Sequence, residues 1–139
     1  MVAVAVAPFV LRDMILSIAT DSYEAHVNEV SFEPSVQTLT WQGGTPAATF
    51  TDVTNATWTC KLTGAQDWIT ANSLAQYLLT NAGTKKTAVF KPQGSTTGKP
   101  VFTVDIFIAP PPIGGKVNTF LEFTVTMGCA GQPVKTAAP

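Results

Sequence analysis

The sequence predicts a mainly β fold, a β-sandwich or barrel with one flanking α-helix. Apolar residues recur at every second position, as in strands with one buried face, over residues 56–63, 101–108 and 117–127. One other segment has apolar residues at helical spacing instead. Because 139 residues fit one ordinary domain, we expect a single β domain over 13–132, preceded by an N-terminal arm at 1–12 and followed by a C-terminal tail at 133–139.

The arm, which opens with MVAVAVAPFV, is apolar and predicted to be flexible. It has no basic n-region, contains Pro8 and lacks a convincing cleavage site, so we do not expect a signal peptide. Shorter strands rich in β-branched or aromatic residues are predicted at 13–20, 23–32, 36–41 and 87–91. Asp21-Ser22 is the expected turn of the first hairpin. A phase change in the second strand indicates a bulge near Asn28 or a switch between sheets.

The helix is predicted over residues 73–81, with Asn72 as its cap and Leu74 and Leu78 on one face. Two stretches rich in glycine and proline, 42–52 and 93–100, have no periodicity and are too long for tight turns. We expect them to be loops. Long loops on a compact domain often carry function, although tolerance of insertion also explains some of them.

Composition and charge restrict the function classes. Charged residues make up 12% of the chain and hydrophobic residues 45%, so part of the surface is expected to meet other protein. The net charge of -1 argues against a nucleic-acid binder, which needs a basic patch. Up to Cys60 six acids oppose one base, and beyond it seven bases oppose three acids, giving -5 and +4. Such a chain could pair head to tail with its own copies, or folding could interleave both signs on one surface.

Several kinds of site are not expected. No stretch has the roughly eighteen consecutive apolar residues that cross a bilayer, so no membrane partner is predicted. Without export, Cys60 and Cys129 are expected to be free thiols. Two cysteines and one histidine make no metal site, and no cofactor is predicted.

Catalytic patterns are weak. Residues 94–100 resemble a phosphate-binding loop that is one residue short, precedes a strand and has Pro100 where Ser or Thr is needed. His26 has no identifiable nucleophile beside it, and nothing fixes Asp105 and Glu122 as a carboxylate pair. The three tryptophans could stack on a sugar, but the pattern around them favours core positions for most of this surface. We therefore predict that the protein is not an enzyme.

The order and spacing of several segments resemble the major tail tube proteins of siphophages, the long-tailed bacteriophages, in particular those that infect actinobacteria. No single motif is diagnostic, and the likeness extends from Arg12 to Pro133. The segments that carry it are RDMIL at 12–16, VSFEPS at 30–35, TWQGGTP at 40–46, ATWTCKLT at 56–63, AQDW at 65–68, SLAQYLL at 73–79 and IGGKVN at 113–118.

The resemblance implies a structural virion protein. Subunits would form hexameric rings with a continuous inner β-barrel, and the rings would stack head to tail into the tube through which genomic DNA passes during ejection. The implied partners are other copies of the chain, the tape measure protein, the tail terminator and the distal tail protein. DNA would transit the lumen without specific binding. The protein would occur in the virion tail, and in the host cytoplasm during assembly.

The resemblance also places the contacts between rings and subunits on the arm and on the predicted loop. The candidate contact residues are Val2, Val4, Val6, Phe9, Trp41, Gln42, Gly43, Gly44, Thr45, Pro46, Phe50 and Asp52.

Other functions share the strand pattern. A secreted or surface β-sandwich module that binds carbohydrate or protein is the main alternative. A capsid decoration protein, another tail protein and the inner tube of a contractile injection system are further ones.

Overall fold

A computed structural model describes residues 1–139 and confirms the mainly β fold. It contains ten strands in antiparallel pairs and one α-helix, α1, at Leu74–Thr80. The strands are β1 (Ile15–Ile18), β2 (Asp21–Ser22), β3 (Val27–Ser35), β4 (Thr38–Gln42), β5 (Thr49–Val53), β6 (Thr57–Ala65), β7 (Lys85–Lys91), β8 (Pro100–Phe107), β9 (Glu122–Gly128) and β10 (Val134–Ala137).

Two sheets enclose the core as a sandwich. One has five strands in the order β10-β8-β7-β1-β2, and the other has three in the order β3-β6-β9. The inward side chains of both sheets form one cluster, because alternation puts every second residue on the buried face. Its fully or nearly fully buried members include Leu16, Ile18, Cys60, Leu62, Ala88, Ile106, Phe123 and Met127. A bridge between Ile106 and Cys129 joins the two sheets.

Helix α1 lies where it was predicted and packs on this core. Leu74, Ala75 and Leu78 have no exposed surface. The prediction of Asn72 as the cap is wrong: Ser73 is the N-cap residue, in an extended conformation, and its hydroxyl donates to the Asp67 carbonyl at 2.5 Å. Asn72 instead turns the chain with a φ of 59°, a conformation that asparagine tolerates better than most residues.

The first hairpin turns two residues earlier than predicted. Ser17 pairs with Ser22 and Ile18 with Asp21, so Asp21-Ser22 is a short strand and Ala19-Thr20 is the turn. The strand ends where the core ends, since Ile18 is fully buried and Ala19 is exposed with a φ of 57°.

The second predicted strand begins later than expected, after a 3₁₀ turn at Glu24–His26. The bulge expected near Asn28 is confirmed. Val27 pairs with Gly64 and Glu29 with Thr63, which leaves Asn28 as the extra residue.

The strand predicted over 117–127 is half correct. Its partner β6 ends at Ala65, opposite Glu122, so residues before Glu122 have no strand to pair with. Residues 117–119 form a turn or bend instead, and Asn118 has a φ of 66°.

The predicted tail at 133–139 is also wrong in part, because β10 lies within it and pairs with β8 from Val134 opposite Thr103 to Ala137 opposite Pro100. Four exposed residues give too short a pattern to reveal a strand in the sequence.

The 42–52 segment is not the loop that was predicted. Its second half is strand β5, which pairs with β4 over five residue pairs, from Thr38 opposite Val53 to Gln42 opposite Thr49. Only residues 43–48 connect the two strands. The glycines and proline of the connection made the whole segment look like a loop. The residues of β5 itself, TFTDV, favour β structure. The 93–100 loop is confirmed up to its last residue, which starts β8.

Candidate assembly surface

The β4–β5 hairpin projects away from the core. Every residue of both strands is exposed, and the pair forms a two-stranded sheet of its own. The β3–β6 ladder ends at Ser35 opposite Thr57, and the β4–β5 ladder starts again at Thr38 opposite Val53. Residues 27–65 are therefore one long interrupted hairpin. Its inner half belongs to the sandwich and its outer half extends beyond it.

The outer half is ordered by its own hydrogen bonds. At the tip, the Gly43 amide donates to the Ala48 carbonyl at 2.6 Å, and the Gln42 side-chain amide donates to the Thr45 carbonyl at 2.7 Å. The Thr49 hydroxyl donates to the Gln42 side-chain oxygen at 2.5 Å. Position 43 needs glycine, because a Cβ there would lie 2.7 Å from the Ala48 Cβ. The predicted contact residues at 42–46 therefore form the tip of the hairpin.

One face of the hairpin carries an exposed aromatic pair. Trp41 and Phe50 are directly opposite each other, with ring centroids 5.7 Å apart and an interplanar angle of 39°. They are 63% and 64% exposed. Leu39 and Asp52 form the adjacent cross-strand pair on the same face. A lone two-stranded hairpin is marginally stable in water, and an exposed aromatic pair on it is the kind of surface that another protein covers.

The N-terminal arm supplies a second exposed apolar surface. It has no secondary structure, and Val2, Val4 and Val6 are 88%, 91% and 85% exposed. Phe9 differs from them. It is about half exposed and lines a groove of its own chain together with residues 92–96. The freely projecting part of the arm is therefore residues 1–8.

The structure does not bring the predicted contact residues into one site. The arm joins the domain beside β1 and the 92–96 loop, whereas the hairpin leaves from the ends of β3 and β6. The groove at Phe9 and the cleft at Trp41 and Phe50 have no lining residue in common.

A third exposed apolar surface was not predicted from the sequence. In the loop before β9, Ile113, Val117 and Phe120 are 70%, 80% and 97% exposed. Gln66 fixes this loop: its side-chain amide donates to the carbonyls of Gly114 at 2.9 Å and Glu122 at 2.6 Å, and its side-chain oxygen accepts from the Gly114 amide at 3.0 Å. Only Val117 belongs to the alternating apolar face predicted from the sequence, and alternation alone does not say whether such a face is buried.

The structure does not bring the residues of the weak catalytic patterns together into a site. Asp105 accepts a hydrogen bond from the Thr87 hydroxyl at 2.7 Å on the five-stranded sheet, whereas Glu122 belongs to the three-stranded one. Both cysteines are free, and burial raises the pKa of the Cys60 thiol to about 12, so it is protonated at neutral pH. His26 lies edge-on to Tyr23, with centroids 5.6 Å apart.

No group of three or more His, Cys, Asp or Glu side chains is placed to hold a metal ion. The single α-helix, at Leu74–Thr80, is too short to cross a bilayer. Trp58 and Trp68 are half-buried and Trp68 packs on the core, so Trp41 is the exposed tryptophan. Neither protein-family models nor curated protein sequences match this chain.

Proposed function

We propose that this protein is a self-assembling structural subunit that polymerises as stacked hexameric rings into the tail tube of a long-tailed bacteriophage. The observation that carries the proposal is the β4–β5 hairpin. It has a closed tip and a regular ladder, yet it contributes nothing to the core of its own chain and exposes Trp41 and Phe50. Contact with a neighbouring subunit would bury this face, and such a contact between different surfaces propagates as a filament.

Unpaired strand edges support assembly as well. The three-stranded sheet ends in β3 on one side and β9 on the other, and both are long strands. Long open edges are hazards unless another chain or element covers them. Pairing of these edges with strands contributed by neighbouring subunits would join the sheets of a ring into a continuous barrel.

The outward face of the three-stranded sheet suits the lumen of such a barrel. It is mostly polar and includes Glu29, Glu33, Thr59, Lys61, Thr63, Glu122, Thr124 and Thr126. Three acids oppose one base, which is 4.0 Å from Glu29. A wall of hydroxyls and carboxylates offers few cations to DNA phosphates, so genomic DNA would pass without being held.

The same proposal includes partners other than copies of this chain. A tube that ends must meet other components, and we propose the tape measure protein, the tail terminator and the distal tail protein. The proposed locations are the virion tail and, during assembly, the host cytoplasm. The inner tube of a contractile injection system would use the same surfaces.

A binding module is the second candidate, and one observation favours it. The exposed Trp41–Phe50 pair is an aromatic surface on which a sugar ring could stack. A module of this kind would stay monomeric when concentrated and would bind a glycan through these rings.

Sedimentation velocity over a concentration series of the full chain separates the two candidates. Self-assembly predicts a shift from a monomer of 14.7 kDa at low concentration to rings and larger polymers at high concentration. Binding of a glycan by a species that stays monomeric up to millimolar concentration would replace the proposal with the second candidate.

A further inference from the structure

The sandwich has an open seam on one side. There β3, the edge of the three-stranded sheet, faces β10, the edge of the five-stranded one, and neither has a further strand beside it. Between them lies a groove of about 460 Å³, which we call the seam groove. It is lined by Val30, Ser31, Phe32, Trp58, Phe90, Phe102, Gln132, Pro133 and Lys135.

The floor of the seam groove is aromatic and only half covered. Phe32 and Phe90 lie with ring centroids 6.0 Å apart, one from each sheet, and both are partly exposed. Lys135 is the single charged side chain in the lining. The groove is therefore suited to an uncharged, apolar occupant of extended shape.

The free part of the arm has this character. Residues 1–8 alternate valine with alanine from Val2 to Ala7, contain no charged side chain and belong to no strand. In an extended conformation the three valines project on one face and the three alanines on the other. Eight residues reach about 27 Å, enough to run along β3. Within its own chain the arm leaves the seam groove unfilled, since its valines are at least 85% exposed.

We propose that the arm of one copy adds as a β-strand to the β3 edge of a second copy, with Val2, Val4 and Val6 in the seam groove. This inference rests on the proposed self-assembly and names one contact that makes it. The alanine face would lie beside Glu29 and Glu33 on the outward, exposed side of β3. Main-chain hydrogen bonds between the arm and β3 would hold the two strands together. Burial of the three valines in the seam groove would make the contact specific.

The area is sufficient for a specific contact. An unfolded chain exposes about 1.45 Å² per dalton, so eight small residues expose on the order of 1,000 Å². If strand addition buries about half of that and a similar area of the receptor, each arm contributes about 1,000 Å² in total, near the lower bound for a specific interface. Because each copy gives one arm and receives one, the contact repeats along an assembly.

Two triple variants of the full chain test which face is used. V2T/V4T/V6T adds three hydroxyls on the valine face, and A3T/A5T/A7T adds three on the alanine face as the matched control. All six positions are exposed, so the monomer should keep its stability in both variants. We expect the valine variant to raise the concentration of half-maximal assembly at least tenfold, and the alanine variant to change it less than twofold. Equal effects would overturn the proposal.

Cross-linking then locates the partner edge. In a Cys129→Ser background, chains that carry A3C, A5C or A7C are mixed with chains that carry E33C and are oxidised after assembly. We expect one of these pairs to form a disulfide between different chains more efficiently than V2C, V4C or V6C. Assemblies that form normally without any such cross-link would overturn the arm contact and leave the proposed function intact. A single chain that carries both an arm cysteine and E33C tests whether the arm binds its own β3. A disulfide that forms only within such a chain, at high dilution, would overturn the role of a second copy. Failure of the full chain to assemble at all would overturn both.

Discussion

Gly64 lies where the inward face of β6 meets the turn before β3. A Cβ at this position would lie 2.5 Å from the His26 carbonyl oxygen and 3.2 Å from the Phe123 ring. Phe123 is among the largest fully buried side chains, so it has little room to move. The glycine therefore sets how closely the 3₁₀ turn can approach the core.

Gly64→Ala should lower the free energy of unfolding by about 1–3 kcal/mol, because the backbone contact can be relieved only by shifting β6 or the turn. Gly44→Ala is the matched control, since a Cβ there meets nothing within 4 Å. Chemical denaturation of both variants measures the difference. Equal stability of the two would contradict the close packing at Gly64.

Trp41 is the residue on which the assembly proposal depends most. Trp41→Thr keeps a residue that favours strands and removes the exposed ring, so the monomer should lose no more than about 0.5 kcal/mol of stability. If the ring is a central contact, assembly should weaken by about 2 kcal/mol or more, roughly 30-fold in concentration. Ile69→Thr, at a 95% exposed position outside the three apolar surfaces, is the control. Sedimentation that shifts equally for both variants would count against the hairpin.

At this scale the sequence predicts buried faces better than caps and turns. Alternation identified Cys60 and Leu62 as inward residues, because a strand in a sandwich must bury every second side chain. It did not identify Ser73 as the cap or Ala19 as a turn residue. Those depend on where neighbouring elements meet, which local preferences do not encode.

At the scale of elements, the β4–β5 hairpin should show where neighbours bind. In a dilute monomer its amides have only the two-strand ladder to protect them, and we expect them to exchange with solvent quickly. In the assembled state they should become protected if neighbouring subunits cover them. The buried strand β6 is the internal control and should be protected in both states. Hydrogen exchange measured by mass spectrometry follows both segments, and a hairpin that stays unprotected in assemblies would exclude it from the interface.

Two of the errors in the element prediction have one physical cause. Periodicity reports that a segment has two different faces, but pairing needs a partner strand at the right place. Val117 continues the alternation of β9, yet β6 has ended and Val117 remains exposed. The converse holds for Val134–Ala137, where β8 supplies an edge and a segment with little pattern becomes a strand. Strand β5 was missed for a different reason, because the glycines and proline of the preceding connection made the whole 42–52 segment look like a loop.

At the scale of the whole molecule, the charge split along the chain becomes a split between sheets. The strands of the five-stranded sheet hold four lysines and two aspartates, a net +2, and those of the three-stranded sheet hold one lysine and three glutamates, a net -2. The second sheet is the one that we place at the lumen. A less basic inner layer and a more basic outer layer agree with a tube that conducts DNA.

The most direct test of self-assembly is negative-stain electron microscopy of the full chain across a concentration series. Self-assembly predicts isolated particles at low concentration and six-fold rings or hollow tubes at high concentration, with the transition moved to a roughly 30-fold higher concentration in Trp41→Thr. Particles that remain single at every concentration, even with tail-initiation components added, would contradict it.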